Sequence, residues 1–216
     1  ILQFLNKSND QIEIFNTTEF DHILKEASQQ FTSNNNGYIG LNSIEDILHK
    51  INHFVVLCAV KEGKYGVVAI NNLIEKLLFN PSFMYYNYQL IMVTQNQPEN
   101  NVYNGDMGIV FDVDGNKDVY FAKSKTENFK LSPAQILSWQ TAFAMTIHKS
   151  QGSEFDEVLI VLPDTKENQL LTRELLYTAI TRAKHKVKII GNADMIYKIA
   201  QQSVSRISGL AFHFSN

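Results

Sequence analysis

Residues 146 to 154 combine polar side chains and a glycine in an arrangement suited to a phosphate-bearing ligand. Thr146, His148 and Ser150 each offer a side-chain donor of the kind that binds phosphate oxygens. Gly152 follows, where backbone can approach a ligand closely, and Glu154 supplies a carboxylate that can accept a hydrogen bond from a ribose. The alternative for His148 is a core histidine or a structural hydrogen-bonding group. The segment therefore predicts a ligand-binding loop.

A second stretch, from residue 172 to residue 184, has the apolar spacing of a helix. Its apolar positions are Leu175, Leu176, Ala179, Ile180 and Ala183. Arg182 lies close to the angular position of Leu175, which indicates that its guanidinium is not simply a solvated charge. The alternative is a cation that favours the C-terminal end of the helix dipole.

Both stretches belong to an alternation of strands and helices that predicts an α/β fold. Apolar runs typical of strands covered on both faces occur at 54–60 and 158–162, and further strands are predicted at 142–148 and 187–191. Helical spacing is found between Val67 and Phe79, and short helices are predicted within residues 1–53. We expect a parallel sheet flanked by helices, and ligands of such sheets collect at strand ends.

Residues 81–142 interrupt this pattern with short strands of antiparallel type. The Asp114-Gly115 pair between two β-rich runs predicts a hairpin, because tight primed turns need residues that tolerate positive φ. Asn104-Gly105-Asp106 is foremost a turn. The predicted organisation is a first α/β part at 1–80, a β insertion at 81–142 and a second α/β part at 143–216.

Two of these segments resemble motifs V and VI of superfamily 1 DNA helicases. Within that superfamily, the chain resembles the RecD family in particular. The segments that carry it are LCAVKEGKYGVVAIN (57–71), NGDMGIV (104–110), FAMTIHKSQGSEFD (143–156), LLTRELLYTAITRAK (170–184) and SGL (208–210). The resemblance implies a RecA-like, P-loop-type helicase domain, called 2A, that is interrupted by a small SH3-like β-barrel, called 2B.

The same resemblance implies roles for single residues. The residues implied to contact the nucleotide are Arg182, as an arginine finger on the γ-phosphate, together with Gly152, Glu154 and Lys61. The residues implied to contact single-stranded DNA are Thr146, His148, Ser150 and Asn104. The alternative for Lys61 is that its side chain is simply solvated. The cluster from Lys184 to Lys188 is more typical of a solvated surface than of a DNA contact.

The implied function is the C-terminal motor half of a 5′ to 3′ DNA helicase subunit in a RecBCD-like exonuclease V, which acts in double-strand break repair and recombination. ATP and Mg²⁺ are the implied cofactors of the full-length protein, and single-stranded DNA with RecB-like and RecC-like subunits are the implied partners. The alternatives are a single-subunit RecD-like helicase, a relaxase-linked helicase, or a module that binds DNA or protein without catalysis.

The sequence contains no G-x-x-x-x-G-K-[ST] phosphate-binding loop. Gly63-Lys64 is followed by Tyr65, and Asp156-Glu157 precedes a predicted strand where a Walker B carboxylate should follow one. We therefore expect both elements to lie upstream of Ile1, and we predict that this chain alone is inactive, binds no cofactor and holds no metal.

Composition sets wider limits. The chain has 216 residues, a net charge of -3 and 44% hydrophobic residues, so any DNA contact must be local. Its single cysteine, Cys58, lies in an apolar run, which excludes an internal disulfide and favours a reducing compartment. With no predicted membrane span or signal peptide, we expect a cytoplasmic protein. A start at Ile1 without methionine suggests a fragment.

Overall fold

Two sheets of opposite character form the fold of the computed structural model, which describes residues 12–124, 127–164 and 171–201. In chain order, the strands are β1 (Ile12–Phe15), β2 (Phe54–Cys58), β3 (Leu90–Val93), β4 (Met107–Val113), β5 (Asn116–Ala122), β6 (Asn128–Leu131), β7 (Trp139–Thr141), β8 (Ala144–Thr146), β9 (Phe155–Val161) and β10 (Ala183–Ile190). The helices are α1 (Phe20–Ser28), α2 (Ile44–Lys50), α3 (Val67–Leu78), α4 (Arg173–Ile180) and α5 (Ala193–Gln201).

The first sheet is entirely parallel and has the order β1-β10-β9-β2-β8. All five residues of β2 are buried, as are the last four of β9, because helices cover the faces of a parallel sheet. Helix α3 contributes Ile70 and Ile74, both fully buried, to this core. The predicted α/β class is confirmed.

The second sheet is entirely antiparallel and has the order β6-β5-β4-β3-β7. Asp114 and Gly115 form the turn between β4 and β5 with φ values of 53° and 85°, so the predicted hairpin is confirmed. In the part of the chain that the structure describes, β6 and β7 are the two edges of this sheet.

The insertion shares a hydrophobic core with the parallel sheet. Leu90 and Met92 of β3 join the main core, whereas Ile91 and Val93 face a smaller second core, as expected for side chains that alternate along a strand. Strands β2 and β8 are neighbours in the parallel sheet although the whole antiparallel sheet lies between them in sequence.

Two sequence predictions need correction. Residues 12–15 were expected within a helical region, but Ile12–Phe15 form edge strand β1, which pairs with β10. The predicted helix at 172–184 ends at Ile180, and Ala183 already begins β10 by pairing with Phe155. Arg182 therefore lies in the turn between α4 and β10. The helix ends early because the backbone of β10 pairs with β9, although the apolar spacing of the segment would allow the helix to continue.

Candidate functional site: two edges of the parallel sheet

One group of predicted residues lies at the carboxyl edge of the parallel sheet. Cys58, the last residue of β2, pairs with Thr146, the last residue of β8, so the segments that follow these strands are neighbours. Residues Ile147–Ser150 form a short 3-10 turn after Thr146, whose hydroxyl accepts a hydrogen bond from the Lys149 N–H at 3.4 Å. His148 and Lys149 are exposed on this turn. The edge thus presents a donor-rich surface to solvent.

Ser150 does not share that exposure. Its side chain is fully buried, and its hydroxyl donates to the Ile147 carbonyl at 2.7 Å. In this conformation Ser150 closes the turn that displays His148 and Lys149, and its hydroxyl is directed into the protein.

Two lysines meet at this edge. Lys61 follows β2, Lys149 follows β8, and both side chains are exposed. Partial desolvation lowers the pKa of the Lys149 ammonium, and the neighbouring Lys61 charge lowers it further. In the described ranges neither lysine has an acidic side chain within ion-pair distance. Two adjacent cations without a counter-charge form a surface suited to an anion such as a phosphate. Sequence reasoning did not single out Lys149, although it stands between His148 and Ser150.

Arg182 lies at the opposite, amino edge of the sheet. Its carbonyl accepts a hydrogen bond from the Phe155 N–H at 2.8 Å, which ties it to the start of β9. The guanidinium donates to the carbonyl oxygens of Thr178 at 3.2 Å and Ser153 at 3.1 Å, and to the Thr181 hydroxyl at 3.4 Å. Arg182 thereby connects the loop before β9 to the end of α4. Of the five N–H donors of a guanidinium, these bonds leave two for a ligand.

Gly152 and Glu154 flank Ser153 in the loop that Arg182 contacts. Gly152 has φ of 90°, and a Cβ built there would meet no atom within 4 Å, so the backbone is open to an approaching ligand. Glu154 is exposed. The structure therefore brings Gly152, Glu154 and Arg182 together at one edge.

The structure separates Lys61 from these three residues. Lys61 follows the carboxyl end of β2, whereas Arg182 precedes β10 at the end where Ala183 pairs with Phe155. The two positions are about 20 Å apart along β9, given roughly 3.3 Å for each strand residue. Lys61 stands with Thr146 and His148, not with Glu154 as the resemblance implied.

Asn104 belongs to neither edge. It lies in the connection between β3 and β4 of the antiparallel sheet, beside Gly105 with φ of 100°, and its N–H donates to the Asn96 side chain at 2.9 Å. The predicted turn is observed, and the Asn104 side chain is exposed.

Asp156 and three lysines of the cluster at 184–188 contact groups of opposite charge. Asp156 contacts His53 at 3.3 Å and Lys184 at 3.8 Å. Lys186 and Lys188 reach acids of β1 and α1, at 2.8 Å to Glu13 and 2.9 Å to Glu26 respectively. Paired lysines do not make a free basic patch.

Within residues 12–124, 127–164 and 171–201, no three His, Cys, Asp or Glu side chains are grouped so that they could hold a metal ion. None of the helices in these ranges has the length and hydrophobicity needed to span a membrane.

Comparison with known proteins agrees with this arrangement of motifs. The UvrD-like helicase C-terminal domain family matches residues 141–190. The RecBCD enzyme subunit RecD of Mycobacterium tuberculosis (strain ATCC 25618 / H37Rv) is 37% identical over 161 residues, which cover 72% of this chain and 28% of the relative. RecD of Haemophilus influenzae is 36% identical over 179 residues, which cover 79% of this chain and 26% of the relative.

More distant matches include a RecD2 helicase and a solved structure. The ATP-dependent RecD2 DNA helicase of Deinococcus radiodurans is 31% identical over 148 residues, 64% of this chain and 20% of the relative. A crystal structure of Pif1 helicase from Bacteroides in complex with ADP-AlF3 and ssDNA has a TM-score of 0.44 and 21% identity, covering 81% of this chain and 49% of that one.

The chain thus spans a little over a quarter of the length of the RecD relatives that it matches. The matching region contains the two stretches recognised in the sequence. Thr146 and His148 of the first stretch lie at the carboxyl edge of the parallel sheet, whereas its Gly152 and Glu154 lie with Arg182 of the second stretch at the amino edge. The chain belongs to the RecD-like superfamily 1 helicases and corresponds to their C-terminal region.

Proposed function

We propose that the chain is the C-terminal motor half of an ATP-dependent 5′ to 3′ DNA helicase subunit, within a cytoplasmic exonuclease V complex of RecBCD type that acts in double-strand break repair and recombination. The observation that carries the proposal is the presence of two separate polar surfaces on one rigid sheet. One suits a polyanionic strand and the other suits part of a nucleotide.

The carboxyl edge is the proposed surface for single-stranded DNA. Lys61 and Lys149 supply positive charge without an acidic partner in the described ranges, and His148 is exposed on the turn that follows Thr146. Contacts of this type to phosphates position a strand without reading its sequence, as translocation along any DNA requires. Asn104 of the insertion is a further candidate for the same strand.

The amino edge is the proposed half-site for ATP and Mg²⁺. Glu154 would accept from the ribose, the open backbone at Gly152 would border the nucleotide, and the two remaining Arg182 donors would face its phosphates. Bound ATP would supply the γ-phosphoryl group whose hydrolysis provides the free energy of movement. Arg182 would stabilise the charge that develops on that group. The phosphate-cradling loop would come from a partner domain.

One sheet connects the two surfaces. Strand β9 runs from Phe155, beside Arg182, to Val161, which pairs with Cys58 near Lys61. A buried parallel strand moves with its neighbours, so closure of the amino edge on a nucleotide would displace the carboxyl edge as part of the same body.

The direct test is binding of the purified chain to a fluorescein-labelled single-stranded oligonucleotide, measured by fluorescence anisotropy. We expect saturable binding that weakens in His148→Ala and Thr146→Ala. His148→Ala is the cleaner variant, since Thr146 also caps the turn that carries Lys149. Asn72→Ala, an exposed change on α3, is the control. Absence of binding, or equal affinity in all variants, would contradict the proposed DNA surface.

A second candidate is a single-subunit RecD-like helicase, since the chain is also 31% identical to a protein whose name is that of a RecD2 DNA helicase and not of a RecBCD subunit. Co-purification of the full-length protein with RecB-like and RecC-like subunits distinguishes the two. A full-length protein without a P-loop or a Walker B carboxylate would instead favour a non-catalytic binding module.

A further inference from the structure

The parallel sheet ends at a strand whose outer edge is covered by a side chain. Strand β8 lies last in the sheet order, next to β2. The Phe143 carbonyl accepts from the Val56 N–H at 3.1 Å, so the backbone of Ala144, the next residue, faces away from β2. An edge strand that is buried must find partners for such groups.

Asn71 of α3 supplies those partners. Its Oδ1 accepts from the Ala144 N–H at 2.8 Å, and its Nδ2 donates to the Ala144 carbonyl at 3.0 Å and to the Thr141 carbonyl at 3.0 Å. The side chain is only 6% exposed. A carboxamide carries the same donor and acceptor as a peptide unit, so Asn71 replaces a missing neighbouring strand.

Glu75, one helical turn later, binds both connections of the insertion. Its Oε1 accepts from the Tyr86 hydroxyl at 2.7 Å and from the Thr141 hydroxyl at 3.0 Å. Tyr86 precedes β3, where the antiparallel sheet begins, and Thr141 ends β7, where it finishes. Burial raises the pKa of Tyr86, and the hydrogen bond to Glu75 raises it further, so the phenol remains a donor.

The hydrogen bonds of Asn71 reach the segment that leads from the antiparallel sheet to the proposed DNA surface. Thr141 and Ala144 enclose the crossing from the antiparallel to the parallel sheet, and Thr146 follows two residues later at the proposed DNA surface. We propose that Asn71 is a positioning residue, which fixes the exit of the insertion and the edge strand β8 together and thereby sets the position of Thr146 for the single strand. This inference rests on the proposed function.

The chain contains its own reporter for this contact. Trp139 is its only tryptophan, lies two residues before Thr141 in β7, and packs against Tyr85 with ring centroids 4.9 Å apart. Its fluorescence emission therefore reports on whether β7 keeps its place in the folded protein.

The test compares Asn71→Asp with Asn72→Asp. An aspartate at 71 keeps the acceptor for Ala144 but loses both donations and brings a negative charge to two carbonyl oxygens. Asn72→Asp introduces the same charge on an exposed neighbouring position of the same helix, which controls for repulsion of DNA. We expect the Trp139 emission maximum of Asn71→Asp to shift to the red, and its affinity for a single-stranded oligonucleotide to fall about tenfold, as for loss of one good contact. Asn72→Asp should match the wild type in both measurements.

If Asn71 only stabilised the fold, its substitution would lower the melting temperature and change neither the Trp139 emission nor the DNA affinity. If folded Asn71→Asp kept wild-type emission, or bound the oligonucleotide as tightly as the wild type, the inference would be overturned. If Asn71→Asp does not fold, Asn71→Ser, which is neutral but too short to bridge Thr141 and Ala144, is measured in the same way. A wild-type chain that fails to bind the oligonucleotide contradicts the proposed function instead.

Discussion

Neutralising the two lysines of the carboxyl edge should reduce the salt dependence of DNA binding by a calculable amount. Lys61 and Lys149 are exposed, adjacent and without acidic partners in the described ranges. Each phosphate that an ammonium neutralises on a single strand adds about 0.7 to the slope of log affinity against log salt. Lys149→Met or Lys61→Met should each reduce the slope by about 0.7, and the double variant by about 1.4.

A fourfold rise in salt concentration should therefore reduce the DNA affinity of the wild type about 2.6-fold more than the DNA affinity of a variant that lacks one of these lysines. The assay is fluorescence anisotropy with a labelled single-stranded oligonucleotide over a salt series. The control is Lys184→Met, which changes the net charge equally but removes a lysine that lies at the other edge and contacts Asp156 at 3.8 Å. Unchanged slopes for Lys61→Met and Lys149→Met, or an equal reduction in Lys184→Met, would refute the assignment.

The pH dependence of binding provides a second readout of the same pair. The charged ammonium binds phosphate, and desolvation together with the Lys61 charge lowers the pKa of Lys149. As the pH rises, the wild type should therefore lose DNA affinity at a lower pH than it would if Lys149 had the pKa of an ordinary lysine. Lys61→Met removes the repulsion, so the loss should move to higher pH. No shift, or a shift to lower pH, would contradict a repulsive interaction between the two ammonium groups.

Three further predictions concern Arg182, the isolated chain and the insertion. In the full-length helicase, Arg182→Ala should reduce steady-state ATP turnover by about 10³- to 10⁵-fold and leave the DNA affinity without nucleotide unchanged. Arg182→Lys should restore little of the turnover, because an ammonium lacks the planar fork of a guanidinium. If Arg182→Ala lost DNA affinity but kept its maximal ATPase rate, Arg182 would be a DNA contact instead. The isolated chain should show no DNA-stimulated phosphate release, because it lacks a P-loop, and measurable turnover would contradict this. Gly108→Ala should lower the free energy of unfolding in urea by about 1–3 kcal/mol, as is typical of overpacking. Its Cβ would lie 2.6 Å from Phe121 and 2.8 Å from Val119, and wild-type stability would show that β4 and β5 are not packed this way.

Local sequence was sufficient for the motifs and for most of the elements, although it missed the edge strand β1 and the end of α4. Apolar runs such as 54–60 and 158–162 predicted buried parallel strands, because burial on both faces leaves no place for polar residues. Asp114-Gly115 predicted its hairpin, because few other residues tolerate positive φ. The segments 143–156 and 170–184 were enough to recognise the helicase family. Each of these features is decided by residues close together in the chain.

The tertiary structure decided which residues share a surface. Lys61 and Lys149 are far apart in sequence but meet because β2 and β8 end side by side, whereas Lys61 and Arg182 lie at opposite ends of the sheet. Strand order and register set these distances, and neither can be obtained from the periodicity of one segment.

The same holds for single side chains whose partners are remote. Asn71 lies within the helix that the spacing between Val67 and Phe79 predicts, and nothing in that spacing shows that it completes the edge of a strand more than seventy residues away. Ser150 looked like a surface donor, yet its hydroxyl is buried in the turn that it closes. Sequence determines what a side chain can donate or accept, but packing determines whether water, a ligand or the protein itself is there to receive it.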